Sequence, residues 1–221
     1  MAFSKEWENQ YLNNCHMSIW PWSDVISLSV GYLNNGCNLK ILEIGFGMGA
    51  NIPYFLSRGV DYFGIEGSET AFNLVSQKFP ELEGKLILGD FIKNKNYTEV
   101  FDIVIDRSSM THNTSDAIYD GLLNISNAMK VGAKYIGIDW FSTEHSEFIN
   151  GKTIDNNTKI FNDNSCFSGV GKAHFSDKEH LLDIFNKSGF NVTKLTHKKS
   201  YTEIPDNKYV FATWNLVAEK I

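Results

Sequence analysis

The chain has 221 residues, 43% hydrophobic and 14% aromatic, with a formal net charge of −6. That is enough apolar material for one sizeable core, while the acidic balance and the shortness of the longest basic run, His197-Lys198-Lys199, exclude a phosphate-coated partner, so no nucleic acid is expected. No run of 18 apolar residues occurs and Met1-Ala2-Phe3-Ser4-Lys5-Glu6-Trp7-Glu8 is too polar for a signal peptide, so no membrane association is expected and the protein reads as cytoplasmic.

Three cysteines, Cys15, Cys37 and Cys166, are odd in number and lack C-x-x-C spacing, which predicts neither a disulfide framework nor a metal site. The first feature in chain order is an aromatic-rich stretch holding Tyr11, His16, Trp20 and Trp22, followed by a helix from Ser23 to about Leu33. Lys40, Ile41, Leu42 and Ile44 then read as a buried parallel strand that carries Glu43 and runs into Gly45-Phe46-Gly47-Met48-Gly49. Alternating glycines let the backbone turn tightly or let a ligand approach where a Cβ would collide.

A helix over Ala50 to Leu56, with Pro53 in its first turn, is predicted after the glycines. The next strand, Tyr62 to Ile65, ends in Glu66, placed to accept the two hydroxyls of a ribose. Ser68 caps a helix through Phe79, Leu86 to Leu88 forms a strand leading to Asp90 and Phe91, and Phe101 to Arg107 is a fourth strand. Asp90 suits an adenine amino group, with Phe91 beside the ring. Ser115 opens a helix over Asp116 to Met129 that should stop at Gly132, and Lys134 to Asp139 is the fifth strand. Residues 144–172 form a polar insertion of no clear periodicity, longer than the ~15 residues beyond which an irregular loop is usually functional or disordered; its glycines would suit the hinges of a lid. A capping box at Ser176-Asp177-Lys178-Glu179 opens a helix that Gly189 stops, and Asn191 to Tyr201 and Lys208 to Glu219 read as two long strands.

Strands alternating with helices predict a parallel sheet covered on both faces, with ligands outside the carboxyl ends of the strands. Gly45, Gly47 and Ala50 also fit a loose dinucleotide pattern, G-x-G-x-x-A, which leaves a nicotinamide-dependent oxidoreductase open. Glu43 tips the balance, because a carboxylate there disfavours a pyrophosphate and attracts an ammonium or a sulfonium.

The ordered series Glu43 to Gly49, Glu66, Asp90 and Phe101-Asp102-Ile103-Val104-Ile105-Asp106-Arg107 resembles motifs one to four of the class I S-adenosylmethionine-dependent methyltransferases. The family's fourth motif reads F-D-x-V-x-x-x-x-x-L-x-H; Met110 stands at the leucine and His112 on the histidine. The resemblance implies an α/β fold with a doubly wound, seven-stranded, mostly parallel sheet, whose final strand lies antiparallel beside the fifth, plus a small N-terminal helical lid. It implies one domain over 1–221, divided into a cap (1–36), a cofactor-binding core (37–142), an insertion (143–175) and a last helix with a strand hairpin (176–221).

It further implies S-adenosylmethionine as cofactor, held by Glu43, Gly45, Phe46, Gly47, Gly49, Glu66, Gly67, Ser68, Asp90, Phe91, Asp106 and Arg107. His112 stands as general base or as a packed, loop-orienting side chain, and Asp106 as a further catalytic or cofactor-holding group. Tyr11, His16, Trp20, Asp139, Trp140 and His174 are candidates for contact with a small soluble acceptor. The phrase Ile19-Trp20-Pro21-Trp22-Ser23-Asp24 resembles methyltransferases encoded with surface-polysaccharide genes, which implies O-methylation of a sugar, a sugar nucleotide or a capsule precursor. The alternatives are N-methylation of a small amine and a non-catalytic protein that binds the same cofactor.

Overall fold

A computed structural model of the protein describes residues 5–33, 38–93, 97–161 and 164–221. Cys37 and Asn94 to Asn96 lie outside the described residues. The apolar runs form the predicted strands β1 (Lys40–Ile44), β2 (Asp61–Glu66), β3 (Leu86–Leu88) and β4 (Phe101–Arg107). The fifth strand, β5, is longer than predicted and spans Met129–Ser142. Between them lie α1 (Lys5–Leu12), α2 (Ser23–Leu33), α3 (Ile52–Ser57), α4 (Glu69–Lys78) and α5 (Ser115–Ala128). Ser68 caps α4 through its hydroxyl, as expected.

Thr114, rather than Ser115, caps α5; Ser115 is instead bound by Asp155. The helix stops at Ala128, where Met129 turns into β5, so Gly132 lies inside that strand with φ +80. Beyond β5 come β6 (Lys152–Thr153), β7 (Thr158–Ile160), β8 (Lys172–Ser176), α6 (Lys178–Lys187), β9 (Phe190–Tyr201) and β10 (Val210–Lys220). Asp177, not Ser176, accepts the capping bond of α6, because Ser176 is the last residue of β8.

The main sheet runs β3-β2-β1-β4-β5, all parallel, then β10 antiparallel to β5 and β9 antiparallel to β10. These are the seven predicted strands. The period-two alternation of side chains splits the core into two layers. Leu42, Ile44 and Val104 pack with Leu122 of α5 and Phe185 of α6. Ile41, Ile103 and Ile105 pack on the other face with Val25, Phe55 and Val75, from α2, α3 and α4.

The insertion departs from the expectation of an irregular loop. It holds a 3₁₀ turn at Ser146–Ile149 and the short antiparallel strands β6, β7 and β8. β5 outruns β4, and its exposed edge at Phe141 and Ser142 pairs in parallel with Phe175 and Ser176 of β8. Phe141, Phe167, Val170, Ala173 and Phe175 form a third apolar cluster there. Asp155 ties the β6–β7 turn to the first turn of α5, accepting from the Ser115 N–H at 3.1 Å and the Thr158 N–H at 2.9 Å. Burial raises its pKa, but these hydrogen bonds outweigh that and hold it at about 2. The insertion is therefore a folded cap over the carboxyl end of the sheet.

Candidate functional site

The register of the sheet sets the floor of a cavity of about 440 Å³ at the carboxyl ends of the strands. Ile44 pairs with both Ile65 and Asp106, so Gly45, Glu66 and Arg107 follow at one level. Gly45, Gly47 and Gly49 all have positive φ, which L side chains rarely adopt. A Cβ at Gly45 would stand 2.0 Å from the Ser109 hydroxyl, and one at Gly47 would stand 2.7 Å from the Tyr11 hydroxyl. The turn therefore lets two neighbouring segments close over it.

Two carboxylates flank the turn. Glu66 accepts from the Gly47 N–H at 2.8 Å and the Ser68 N–H at 2.9 Å, one bond to each oxygen, which fixes the glycine turn to the start of α4. The Gly67 N–H also bonds this carboxylate, and of the roughly four acceptor sites that an ionised carboxylate offers, what is left is available to a ligand on the cavity side. Glu43 accepts from Asn51 and from the Tyr62 hydroxyl, each at 2.7 Å, and burial pushes its pKa up to about 7. Gly67, Asp90, Phe91 and Phe46 continue the wall toward β3.

Arg107 is the positive charge of this wall. Its guanidinium lies 3.5 Å from the Trp22 ring centroid and its Nη2 is 3.2 Å from Asp139. Its Nε is buried with no hydrogen-bond partner among the described residues. Burial lowers the guanidinium pKa, against which Asp139, Glu43 and Asp106 act, so the group stays charged. Ser108, just past β4, and Asp139, inside β5 three residues before its end, both have φ of 55, and the Ser108 hydroxyl donates to the Asp139 carbonyl at 2.9 Å. Non-glycine residues held in this region cluster at functional sites.

His112 lines the cavity and is 8% exposed. Its Nδ1 lies 2.8 Å from the Lys172 carbonyl. A carbonyl can only accept, so Nδ1 carries the proton and Nε2 keeps its lone pair. The Trp7 and Phe141 rings meet the imidazole edge-on, at 4.9 and 5.7 Å between centroids. Burial lowers its pKa to about 4, so it is neutral at pH 7.

α1 closes the cavity from above. Glu8 accepts from the Ser68 and Thr70 hydroxyls, each at 2.5 Å, at the N-terminus of α4, where a negative charge is favourable. Two residues on, the Gln10 amide donates to the Gly169 carbonyl of the insertion at 2.8 Å. Trp7 and Tyr11, one helical turn apart, face into the cavity.

Of the other sequence-predicted residues, His16 and Asp139 line the cavity, whereas Trp20 is 76% exposed and does not. Trp22 takes that place, stacked on Arg107. Asp106 is fully buried behind the wall, accepting from the N–H groups of Ser109 and Met110, the Tyr135 hydroxyl and the Trp140 indole. This corrects the catalytic or cofactor role expected of it. Trp140 is corrected likewise: the left-handed Asp139 breaks the alternation of β5, so Trp140 joins the layer opposite Ile136 and Ile138 and packs on Phe185.

His174 is buried on β8, bonded to Thr158, and does not reach the cavity. Gly49 packs under Val75 and Phe79, and the Ser68 side chain is spent on its cap and on Glu8, so neither lines the cavity. Trp7, Asn51, Ser109, Asn113, Phe167 and Phe211 line it without having been singled out as contacts. The i, i+4 pair of Trp7 and Tyr11 was a readable signal for the first of these. No group of three or more metal-ligating side chains is placed to hold an ion among the described residues.

No model of a known protein family matches the chain. It is 24% identical over 189 residues to ribosomal RNA small subunit methyltransferase A of Parabacteroides distasonis, covering 74% of this chain and 70% of that protein. A solved S-adenosylmethionine-dependent methyltransferase from Methanosarcina mazei superposes with a TM-score of 0.70 at 14% identity, over 87% of this chain and 97% of that one. The Burkholderia thailandensis 1,6-didemethyltoxoflavin-N1-methyltransferase, solved with 1,6-didemethyltoxoflavin and S-adenosylhomocysteine, gives a TM-score of 0.63 at 14% identity, over 98% and 84%.

Proposed function

Because the chain has the fold of the class I S-adenosylmethionine-dependent methyltransferases, we propose that it binds S-adenosylmethionine and transfers the methyl group to a small acceptor. The observation that carries this reading is the row of acidic residues on the cavity wall, Asp90 after β3, Glu66 at the end of β2 and Glu43 in β1, around a glycine turn. In that order they match an adenine amino group, a ribose and an ammonium, and a pyrophosphate would meet the same negative charges unfavourably. Calorimetry with S-adenosylmethionine, S-adenosylhomocysteine and NAD tests it. Micromolar binding of the first two is expected, and binding of NAD alone would overturn it.

The methionine end of the cofactor then points toward β4, with Arg107 beside Glu43. The expected result for Arg107→Met is S-adenosylhomocysteine binding weakened about 10- to 100-fold, the size of one hydrogen bond to a charged group. 5′-Methylthioadenosine, which lacks the carboxylate, should bind both proteins alike. Equal loss of both ligands would remove Arg107 from this role.

Glu43 sets a pH dependence. Its pKa in the free protein is about 7, and a bound cation favours the ionised form, so binding must expel a proton below that pH. Cofactor affinity should therefore be level above pH 7 and fall below it, by up to about tenfold per unit. Titrations at pH 6, 7 and 8 check this, and Glu43→Gln should flatten the profile.

A sugar acceptor finds little support. Trp20, in the phrase that suggested it, faces solvent, and none of the similar proteins named above is described as acting on polysaccharide. RNA, the substrate class in the name of the Parabacteroides relative, is opposed by the net charge of −6 and by a cavity roofed by α1.

A further inference from the structure

The part of the cavity beyond β4 has a chemistry distinct from the acidic, nucleoside-matched part. Its walls are rings. Trp7 meets His112 at 4.9 Å and 75°, His112 meets Phe141 at 5.7 Å and 78°, and Phe141 meets Phe167 at 4.6 Å and 70°. Val170 and Phe211 continue this apolar surface. Given the cofactor placement above, on which this inference rests, the methyl group faces these rings.

Several of the polar groups among them are already engaged. Asn113 donates its amide to the Ser109 and Met110 carbonyls, and the Cys166 thiol lies 3.1 Å from the Tyr209 hydroxyl. Asp139, which lines the cavity, is held by Arg107 at 3.2 Å and Lys198 at 3.7 Å, and Glu147, behind Cys166, accepts from the Tyr209 hydroxyl at 3.3 Å. A cationic amine would have to compete with Arg107 and Lys198 for Asp139 and is repelled by both. A sugar would have to bury several hydroxyls against rings, each at a cost of about 1–3 kcal/mol when unpaired. Nδ1–H of His112 is committed to Lys172, so its Nε2 keeps a lone pair that can accept a proton, and the His16 imidazole, 5.0 Å from the Trp7 ring, lines the same part of the cavity.

We propose that the acceptor is a flat, uncharged aromatic molecule bearing a hydroxyl, stacked among Trp7, Phe141 and Phe167, and that the hydroxyl proton passes to Nε2 of His112. The acceptor oxygen uses a lone pair to form the bond to the methyl carbon. The carbon–sulfur bond breaks, and its electron pair returns to sulfur, giving neutral S-adenosylhomocysteine. The O–H proton, made strongly acidic as the new bond forms, moves to Nε2, and the imidazolium releases it to water when the product leaves. A buried, neutral and only weakly basic imidazole suffices, because it is asked for the proton late in the step.

The test uses the full chain. Phenol, 2-naphthol and 4-hydroxyquinoline are compared with methyl glucoside and phenethylamine, first for binding to protein saturated with S-adenosylhomocysteine, then as acceptors of the methyl group of S-adenosylmethionine. At least one hydroxyarene is expected to bind and to be O-methylated with kcat/KM at least tenfold above the glucoside and the amine. Phe167→Ala should weaken its binding about tenfold, and His112→Gln should keep its binding while lowering kcat about 100-fold. Retained S-adenosylhomocysteine binding shows that each variant is folded. The proposal is overturned if S-adenosylhomocysteine binds but no hydroxyarene does, if the glucoside or amine is the better acceptor, or if His112→Gln keeps its kcat. Failure of S-adenosylhomocysteine to bind the native protein would instead overturn the cofactor reading beneath it.

Discussion

Replacing Glu66 by alanine is expected to weaken S-adenosylhomocysteine binding by a hundredfold or more. Two charge-assisted hydrogen bonds to ribose hydroxyls, at about 1.5–3 kcal/mol each, correspond to at least two factors of ten. The loss is compounded because the same carboxylate anchors the N–H groups of Gly47 and Ser68, so the glycine turn and the start of α4 lose their common tether. Glu66→Gln should fall between the two, since its amide keeps one acceptor oxygen but presents a donor to one of those N–H groups. Calorimetry on native and variant proteins reads this directly, and a change below threefold in Glu66→Ala would mean that the nucleoside does not sit against β2.

Asp106→Asn should act on stability before it acts on binding. The fully buried carboxylate accepts four hydrogen bonds. The asparagine amide can keep the bonds from Ser109 and Met110 through its oxygen, and the Tyr135 hydroxyl can rotate to accept. The Trp140 indole N–H can only donate, so it is left facing an NH₂ group. A penalty of about 3 kcal/mol follows from burying an unmatched donor and breaking this network, which for a chain of this size lowers Tm by roughly 6–12 °C. Below the transition, S-adenosylhomocysteine affinity should stay within about threefold of native. A normal Tm with lost cofactor binding would return Asp106 to the ligand-binding role that its motif position suggests.

Much of the sheet was legible because its strands are apolar runs ended by glycine or acidic residues. Glu43, Glu66 and Asp90 fell at the ligand end for the same reason. The opposite fates of Asp106 and Arg107 follow from strand alternation: Val104 and Asp106 face the α5 layer, while Ile103, Ile105 and Arg107 face away from it. Trp140 obeys no such rule, since the left-handed backbone at Asp139 that redirects it is only weakly signalled by an aspartate, most of which are not left-handed. Trp20 and Trp22 are equivalent as letters, and only the cation over the second separates them. The insertion was opaque because strands of two, three and five residues carry too short a pattern to read. What holds them is long-range: the Asp155 anchor on α5, the β5 edge that outruns β4, and Phe167 and Phe175 against Phe141.

A crystal structure of the protein with S-adenosylhomocysteine tests the central claim most directly. The ribose hydroxyls are predicted within hydrogen-bonding distance of the Glu66 carboxylate, the adenine amino group toward Asp90, and the thioether sulfur toward β4 on the side of His112 and Phe141. A nucleoside bound the other way round, with adenine among Trp7, Phe141 and Phe167, or bound outside this cavity, would contradict both the cofactor placement and the acceptor site derived from it.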